Sequence, residues 1–348
     1  MITKPIKIGN KKIGTGNPVL VQSMTNTDTS DARATVDQIL SLEEAGCDII
    51  RSSVYNMDCV AALDEIIPNI HIPFVADIHF DYKLAIAAME HGVQKIRFNP
   101  GNIGGVDKIN ELVSCAKMHH VPIRIGVNAG SLEKDLKEKY GPHSPQAMVE
   151  SALRHVQILE KQGFYDIVLS LKASTVSDTV EAYRLISELV DYPLHVGITE
   201  TGNVENGIIK SSIGIGALLL DGIGDTIRVS LTDHPLREVL VGKQILRALH
   251  MINDDVEIIS CPTCGRTGVD LFKAVEYVNS KVRHNQGYLK IAVMGCAVNG
   301  PGEAADADIG IAFGKGNGVV FKKGKVFQNG DMPGILDVLI DEANRMLP

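Results

Sequence analysis

Short apolar runs alternate with longer amphipathic stretches from residue 18 onward. The runs "PVLVQS", "CDIIRSSV", "PFVADIHF", "VQKIRFNP", "PIRIGVN", "YDIVLSLK", "PLHVGITE" and "DTIRVSL" are rich in Val and Ile and nearly continuous in hydrophobicity, as strands of a doubly covered parallel sheet are. Between them, stretches such as "ARATVDQILSLEEAG", "DYKLAIAAMEHG", "SPQAMVESALRHVQILEKQG" and "PLREVLVGKQILRALH" space apolar residues three to four apart, and most close on glycine, which predicts helices. Eight βα units in about 250 residues fit a closed (β/α)8 TIM barrel better than an open doubly wound sheet. A hairpin, "IKIGNKKIG", precedes the first unit.

The rhythm breaks near residue 253. A strand ("VEIIS"), a helix ("GVDLFKAVEYVNSKVRHN"), a second strand ("YLKIAVMG"), three shorter ones ("ADIGIAF", "GVVFK", "KVFQ") and a last helix read as a small α+β module. The expected domains are 1–252 and 253–348. Asp331, Met332 and Pro333 mark the expected start of the last helix, whose apolar side carries Ile335, Leu336, Val338 and Leu339.

Composition narrows the class. Among 348 residues, 45% are hydrophobic and 22% charged, and no run approaches the roughly 20 apolar residues that span a bilayer. The start, "MITKPIKIGNKKIG", has neither the apolar centre of a secretory signal nor the Arg/Ser pattern of a transit peptide, so a cytoplasmic protein is expected. A formal net charge of −8 argues against a nucleic-acid partner. Cys47, Cys59 and Cys115 sit singly in apolar segments and read as core residues.

Polar residues near the ends of the eight runs are the first chemical signal. Arg51 and Ser53, Asp77 and His79, Arg97 and Asn99, Ser170 and Lys172, and Arg228 and Ser230 are i, i+2 pairs, so each pair faces one side of its sheet. Arg124 and Asn128 end the fifth run and Glu200 the seventh. In a barrel this end is where binding and catalytic groups converge. Arg51, Arg97, Arg124, Lys172 and Arg228 would repel one another around a shared mouth, so the expected ligand is small and polyphosphorylated. Asp77 and His79 leave open a divalent metal, as in a barrel hydrolase, or contacts to substrate hydroxyls. Glu200 is the best general acid/base candidate.

The second signal is "CPTCGRTG" from Cys261 and "CAVNGPGE" from Cys296. Three cysteines fall short of the four protein ligands of structural zinc, and His284, in a helical context, reads as a surface residue. A redox disulfide leaves Cys296 without a role. An iron–sulfur cluster takes all three thiolates, with Glu303 as an oxygen ligand across the Gly-Pro-Gly turn. Spacing alone leaves cluster, zinc and disulfide open, and with zinc a phosphate- or nucleic-acid-binding protein without redox chemistry.

Together "VQSMTNTDT", "ADIHFDYKLA", "RFNPGNIG", "PIRIGVNAGSLEKDL", "GITETG", "GIGDTIRVSL", "CPTCGR" and "GCAVNGPGEA" resemble the 4-hydroxy-3-methylbut-2-enyl diphosphate synthase family of the methylerythritol phosphate route to isoprenoids, over nearly the whole chain. The resemblance implies the two-domain form, a barrel joined to a ferredoxin-like or sulfite-reductase-like domain with a [4Fe–4S] cluster on Cys261, Cys264, Cys296 and Glu303. It implies reductive opening of 2-C-methyl-D-erythritol 2,4-cyclodiphosphate, with electrons from reduced flavodoxin or ferredoxin. Arg51, Arg97, Asn99, Arg124, Asn128, Lys172, Arg228 and Ser230 would hold the substrate, alongside Asp77 and His79, and Glu200 would handle protons. It further implies a homodimer in which the cluster domain of one subunit caps the barrel of the other.

Overall fold

The computed structural model describes residues 1–79, 81–99, 105–199, 202–296, 302, 304–314 and 316–348. They divide into two compact units, Met1–Met251 and Ile252–Pro348.

In the first unit a hairpin of β1 (Ile6–Ile8) and β2 (Lys11–Ile13) precedes eight parallel strands. These are β3 (Leu20–Met24), β4 (Ile49–Ser53), β5 (Phe74–Asp77), β6 (Lys95–Arg97), β7 (Ile123–Asn128), β8 (Ile167–Lys172), β9 (His195–Gly197) and β10 (Thr226–Arg228). They follow the order β8-β7-β6-β5-β4-β3-β10-β9, and a parallel bridge between Leu169 and Leu194, with the Leu169 N–H donating to Pro193 O at 3.0 Å, closes the ring. The eight expected runs thus form the barrel. The hairpin's Ile6, Ile8 and Ile13 are buried with Leu20, Ile49, Val75 and Val168, so its apolar face covers the barrel interior. Water is excluded there by side chains that strand alternation alone puts inward.

Helices follow the strands, and several begin where short polar side chains satisfy the first free N–H groups. Asp31 accepts from Ala34 N–H ahead of α1 (Ala32–Glu44), and Asn56 from Cys59 N–H ahead of α2 (Met57–Ile66). Ser144 does the same for the helix Pro145–Glu160, and Asn203 for Val204–Leu220. Within "SSIGIGALLL" a side chain at Gly214 would begin 2.4 Å from Ile198 Cδ1, so this glycine serves close packing of the helix on the barrel. Cys47, Cys59 and Cys115 are buried, as core residues should be.

The second unit is a five-stranded sheet in the order β11 (Val256–Ser260), β12 (Leu289–Met294), β13 (Ile309–Phe313), β14 (Asn317–Lys322), β15 (Lys325–Asp331). The first three strands are parallel and the last two antiparallel. Ile291, Val293, Ile309, Ile311 and Phe313 share a core with Leu271, Ala274 and Val278 of the helix Leu271–Lys281 and Ile335, Leu336 and Leu339 of the helix Gly334–Met346. Ala292, Met294, Ala312 and Phe321 pack on the other face with Ala304 and Ala307. One boundary differs from expectation. Asp331 does not open the last helix but ends β15, paired with Asn317, and the helix starts after Pro333.

Candidate active site

At the end of the barrel strands three of the expected cations, Arg51, Arg97 and Arg124, surround one carboxylate. Asp77, Arg97 and Arg124 are successive register partners across β5, β6 and β7. Asp77 Oδ2 lies 3.6 Å from Arg51 Nε and its Oδ1 3.4 Å from Arg97 Nη1, all three residues being buried. Burial, the largest single influence, would raise the Asp77 pKa, but Arg51, Arg97, Arg124 and His79 together hold it below the ordinary carboxylate value. Asp77 therefore positions two guanidinium groups. Arg51 also points Nε and Nη2 at the thioether sulfur of Met24, its register neighbour, at 3.2 and 2.8 Å. Arg97 occupies space that Gly126 leaves: a Cβ at that position would sit 2.9 Å from Arg97 Nε.

Arg124 is sealed, with 0% exposure. Its Nη1 faces Ser170 Oγ at 3.4 Å, and its Nε and Nη2 have no partner among the described residues. Burial, then the like charges of Arg51 and Arg97, depresses its pKa far below the guanidinium norm. Such a group acts on the mouth through its field. Beside it lies Lys95, which the sequence reading did not single out: fully buried, its Nζ 3.3 Å from Gln22 Oε1, and pushed well down by burial and by Arg124 and Arg51. The signal was present, because Lys95 stands two residues before Arg97 on one strand and so shares its face.

Arg228 is paired by a residue no motif announced. Glu238, buried on the helix Pro235–Ala248, places Oε2 3.4 Å from Arg228 Nη2 and accepts from the Leu231 N–H through Oε1 at 3.0 Å. Two other carboxylates of the barrel serve elsewhere: Asp48 faces Lys11 and Lys243, and Asp225 accepts from Thr3 Oγ1 and the Leu194 N–H.

The remaining expected residues divide. Asn99 clamps the neighbouring strand, donating to Gly126 O at 2.7 Å and accepting from Gly126 N–H at 2.9 Å. With Asn128 it lines a cavity of about 220 Å³ that also meets Glu133, Arg154 and His155. His79 is exposed and Ser230 half-buried. Glu200 lies outside the described residues.

Lys172 is half-buried at the end of β8, and the structure gives it no carboxylate partner among the described residues. Burial first, then Arg51, Arg124, Arg228 and Arg97, lowers its pKa to about 6. An anion seated among these groups reverses that shift, so binding takes up a proton. The amine of the empty site is neutral above about pH 6, and affinity for inorganic pyrophosphate is expected to fall by about tenfold per pH unit from there, levelling off at the higher pKa of the bound state. Calorimetry of native protein against Lys172→Arg, whose charge is permanent, isolates this proton from those of pyrophosphate itself. Equal pH dependence in the two proteins would contradict the assignment.

In the second unit Cys261 and Cys296 follow β11 and β12, adjacent parallel strands that pair Ser260 with Val293, so both cysteines emerge at one end of the sheet. The Gly295 N–H donates to Cys261 Sγ at 3.3 Å. Cys264 is exposed, and its thiol is held below the ordinary range by the Arg266 backbone N–H first and by the Arg266 and Thr267 side chains. N–H groups aimed at sulfur favour thiolate, which is the form that binds iron. Among the described residues no three His, Cys, Asp or Glu side chains converge as metal ligands, and the expected fourth ligand, Glu303, lies outside them. His284 is held by Asp255 Oδ1 at 3.0 Å and Asn279 O at 2.9 Å, as a structural residue.

The barrel with its cation-ringed mouth and the second, thiol-bearing unit define a two-unit TIM-barrel protein. The family models agree in both parts: the GcpE TIM-barrel domain matches residues 3–243 and the GcpE protein C-terminal domain residues 257–345. The chain belongs to the GcpE family. It is 59% identical over 346 residues to a Caldanaerobacter subterraneus subsp. tengcongensis protein named 4-hydroxy-3-methylbut-2-en-1-yl diphosphate synthase (flavodoxin), covering 99% of this chain and 98% of that one. Proteins of the same name from Clostridium tetani (55% identity, 99% of each chain) and Fusobacterium nucleatum (52%, 97% and 95%) also match over nearly their whole length. Among solved structures, Yersinia pestis dihydropteroate synthase superposes with a TM-score of 0.52 at 14% identity over 71% of this chain and 99% of its own. Plasmodium falciparum HPPK-DHPS gives 0.53 at 13%, over 80% and 51%. These two share the fold.

Proposed function

We propose that the protein is a reductase that opens 2-C-methyl-D-erythritol 2,4-cyclodiphosphate to 4-hydroxy-3-methylbut-2-enyl diphosphate, using electrons from reduced flavodoxin. The observation that carries this reading is the charge imbalance of the barrel mouth. Arg51, Lys95, Arg97, Arg124, Lys172 and Arg228 face Asp77 and Glu238, an excess of cations in low-polarity surroundings that a compact diphosphate corrects. The flavodoxin in the relatives' name and their near-complete coverage of the chain support a redox reaction over a hydrolytic one.

The reaction balances with two electrons and one proton. The C2–O bond to the ring diphosphate breaks, the C3 hydroxyl departs as water with the added proton, and a C2=C3 double bond forms. Arg51, Arg97, Arg228, Lys172 and Ser230 hold the diphosphate, Asn99 and Asn128 border the substrate with Asp77 and His79, and Arg124 stabilises the anion from beneath. Glu200 delivers the proton. Cys261, Cys264, Cys296 and Glu303 would hold a [4Fe–4S] cluster, which supplies single-electron transfer when bound. The working form is a cytoplasmic homodimer of chains with a 1–252 barrel and a 253–348 cluster domain.

Protein loaded with iron and sulfide under argon, reduced chemically and given the cyclic diphosphate, is expected to release the linear allylic diphosphate. Fully loaded, reduced protein that leaves the cyclic compound unchanged would overturn the reading.

A further inference from the structure

We propose that Glu238 is a positioning residue for ligand binding, its carboxylate holding the Arg228 guanidinium and the backbone after Ser230 as one unit. The inference rests on the reading of the mouth as a diphosphate site. It stands on three contacts. Oε1 accepts the Leu231 N–H at 3.0 Å, fixing the chain immediately past Ser230. Oε2 faces Arg228 Nη2 at 3.4 Å and Ser23 Oγ of β3 at 3.5 Å. Arg228 Nε is buried without a partner, so Glu238 is the carboxylate that orients this guanidinium among the described residues. Glu238 itself sits in the first turn of its helix, where the free N–H groups favour a negative charge.

The geometry separates two kinds of role. The Glu238 side chain is only 6% exposed while that of Arg228 is 18% exposed, so Arg228 is open to a ligand and Glu238 acts through it. A carboxylate hydrogen-bonded to a backbone N–H cannot follow a moving arginine, and the arginine is thereby held in one orientation before the ligand arrives. Preorganisation of this kind lowers the ordering cost of binding.

The test compares E238Q, R228M and the double variant, all iron- and sulfide-loaded, in anaerobic turnover of the cyclic diphosphate. E238Q keeps the shape and an oxygen for Leu231 but turns an N–H donor or a neutral oxygen toward Arg228. It is expected to raise KM by about ten- to a hundredfold, the weight of a hydrogen bond to a charged group, with kcat changed far less. In the R228M background the same substitution is expected to change KM by less than about twofold, because its effect passes through the missing arginine. A general weakening of the fold would instead add fully in both backgrounds and lower the melting temperature equally. E238Q with native KM, or strict additivity, overturns the inference while native turnover leaves the diphosphate reading intact. Native protein that neither binds nor converts the cyclic compound removes both.

Discussion

Cys264→Ser is expected to abolish turnover of the cyclic diphosphate, with a loss of about a thousandfold or more, and to lower acid-labile sulfide in anaerobically reconstituted protein in parallel. The physical reason is the sulfur's surroundings. The N–H of Arg266 and the side chains of Arg266 and Thr267 bias Cys264 toward thiolate, and a serine hydroxyl in that place stays protonated and binds iron poorly. The fold is expected to survive, because Cys264 is exposed and the core of the second unit is built from Ile291, Val293, Ile309, Phe313 and the two helices. Sulfide content and circular dichroism measured on one sample separate the outcomes. Native sulfide with native turnover would remove Cys264 from the site.

Asp77→Asn should show the second large effect, this time on stability. The carboxylate is buried between Arg51 and Arg97, and removing one partner of a buried ion pair leaves the others uncompensated, at about 3–5 kcal/mol. Denaturant midpoints at unchanged slope read this directly. The sign with pH follows from the depressed Asp77 pKa. Its contribution is complete above the unfolded carboxylate value of about 3.9 and is lost as pH falls through the lower folded value, so the native acid limb is steeper than that of the variant. Pyrophosphate should restore part of the variant's stability, because a bound anion supplies the missing counter-charge. A loss below about 1 kcal/mol would mean that the two arginines are stabilised by something other than Asp77.

Much of the barrel was legible because strands of a doubly covered sheet read as apolar runs, against which Arg51, Arg97, Arg124 and Lys172 stand out. Lengths were less legible: among the described residues of "VQKIRFNP" the strand is Lys95–Arg97. Asp331 misled because Asp before Pro commonly opens a helix, while here its backbone pairs with Asn317. Roles at the mouth were harder. That Asp77 sits between two arginines, and that Asn99 bonds the Gly126 backbone, depends on strand register that no local pattern encodes. Glu238 carried no signal, since an acidic residue in a first helical turn is ordinary. Only the fold brings it to Arg228, ten positions away in sequence. The cysteine spacing located Cys261, Cys264 and Cys296, but that two of them leave adjacent strands depends on β11 pairing with β12, which no local pattern encodes.

The most direct test of the account is the number of electrons consumed per product. Anaerobic protein is titrated with a reductant of known equivalents in the presence of the cyclic diphosphate, and the linear diphosphate is quantified at each step. The account predicts two electrons per product and no product before the first addition. Conversion without reductant would reveal a hydrolytic barrel and contradict it.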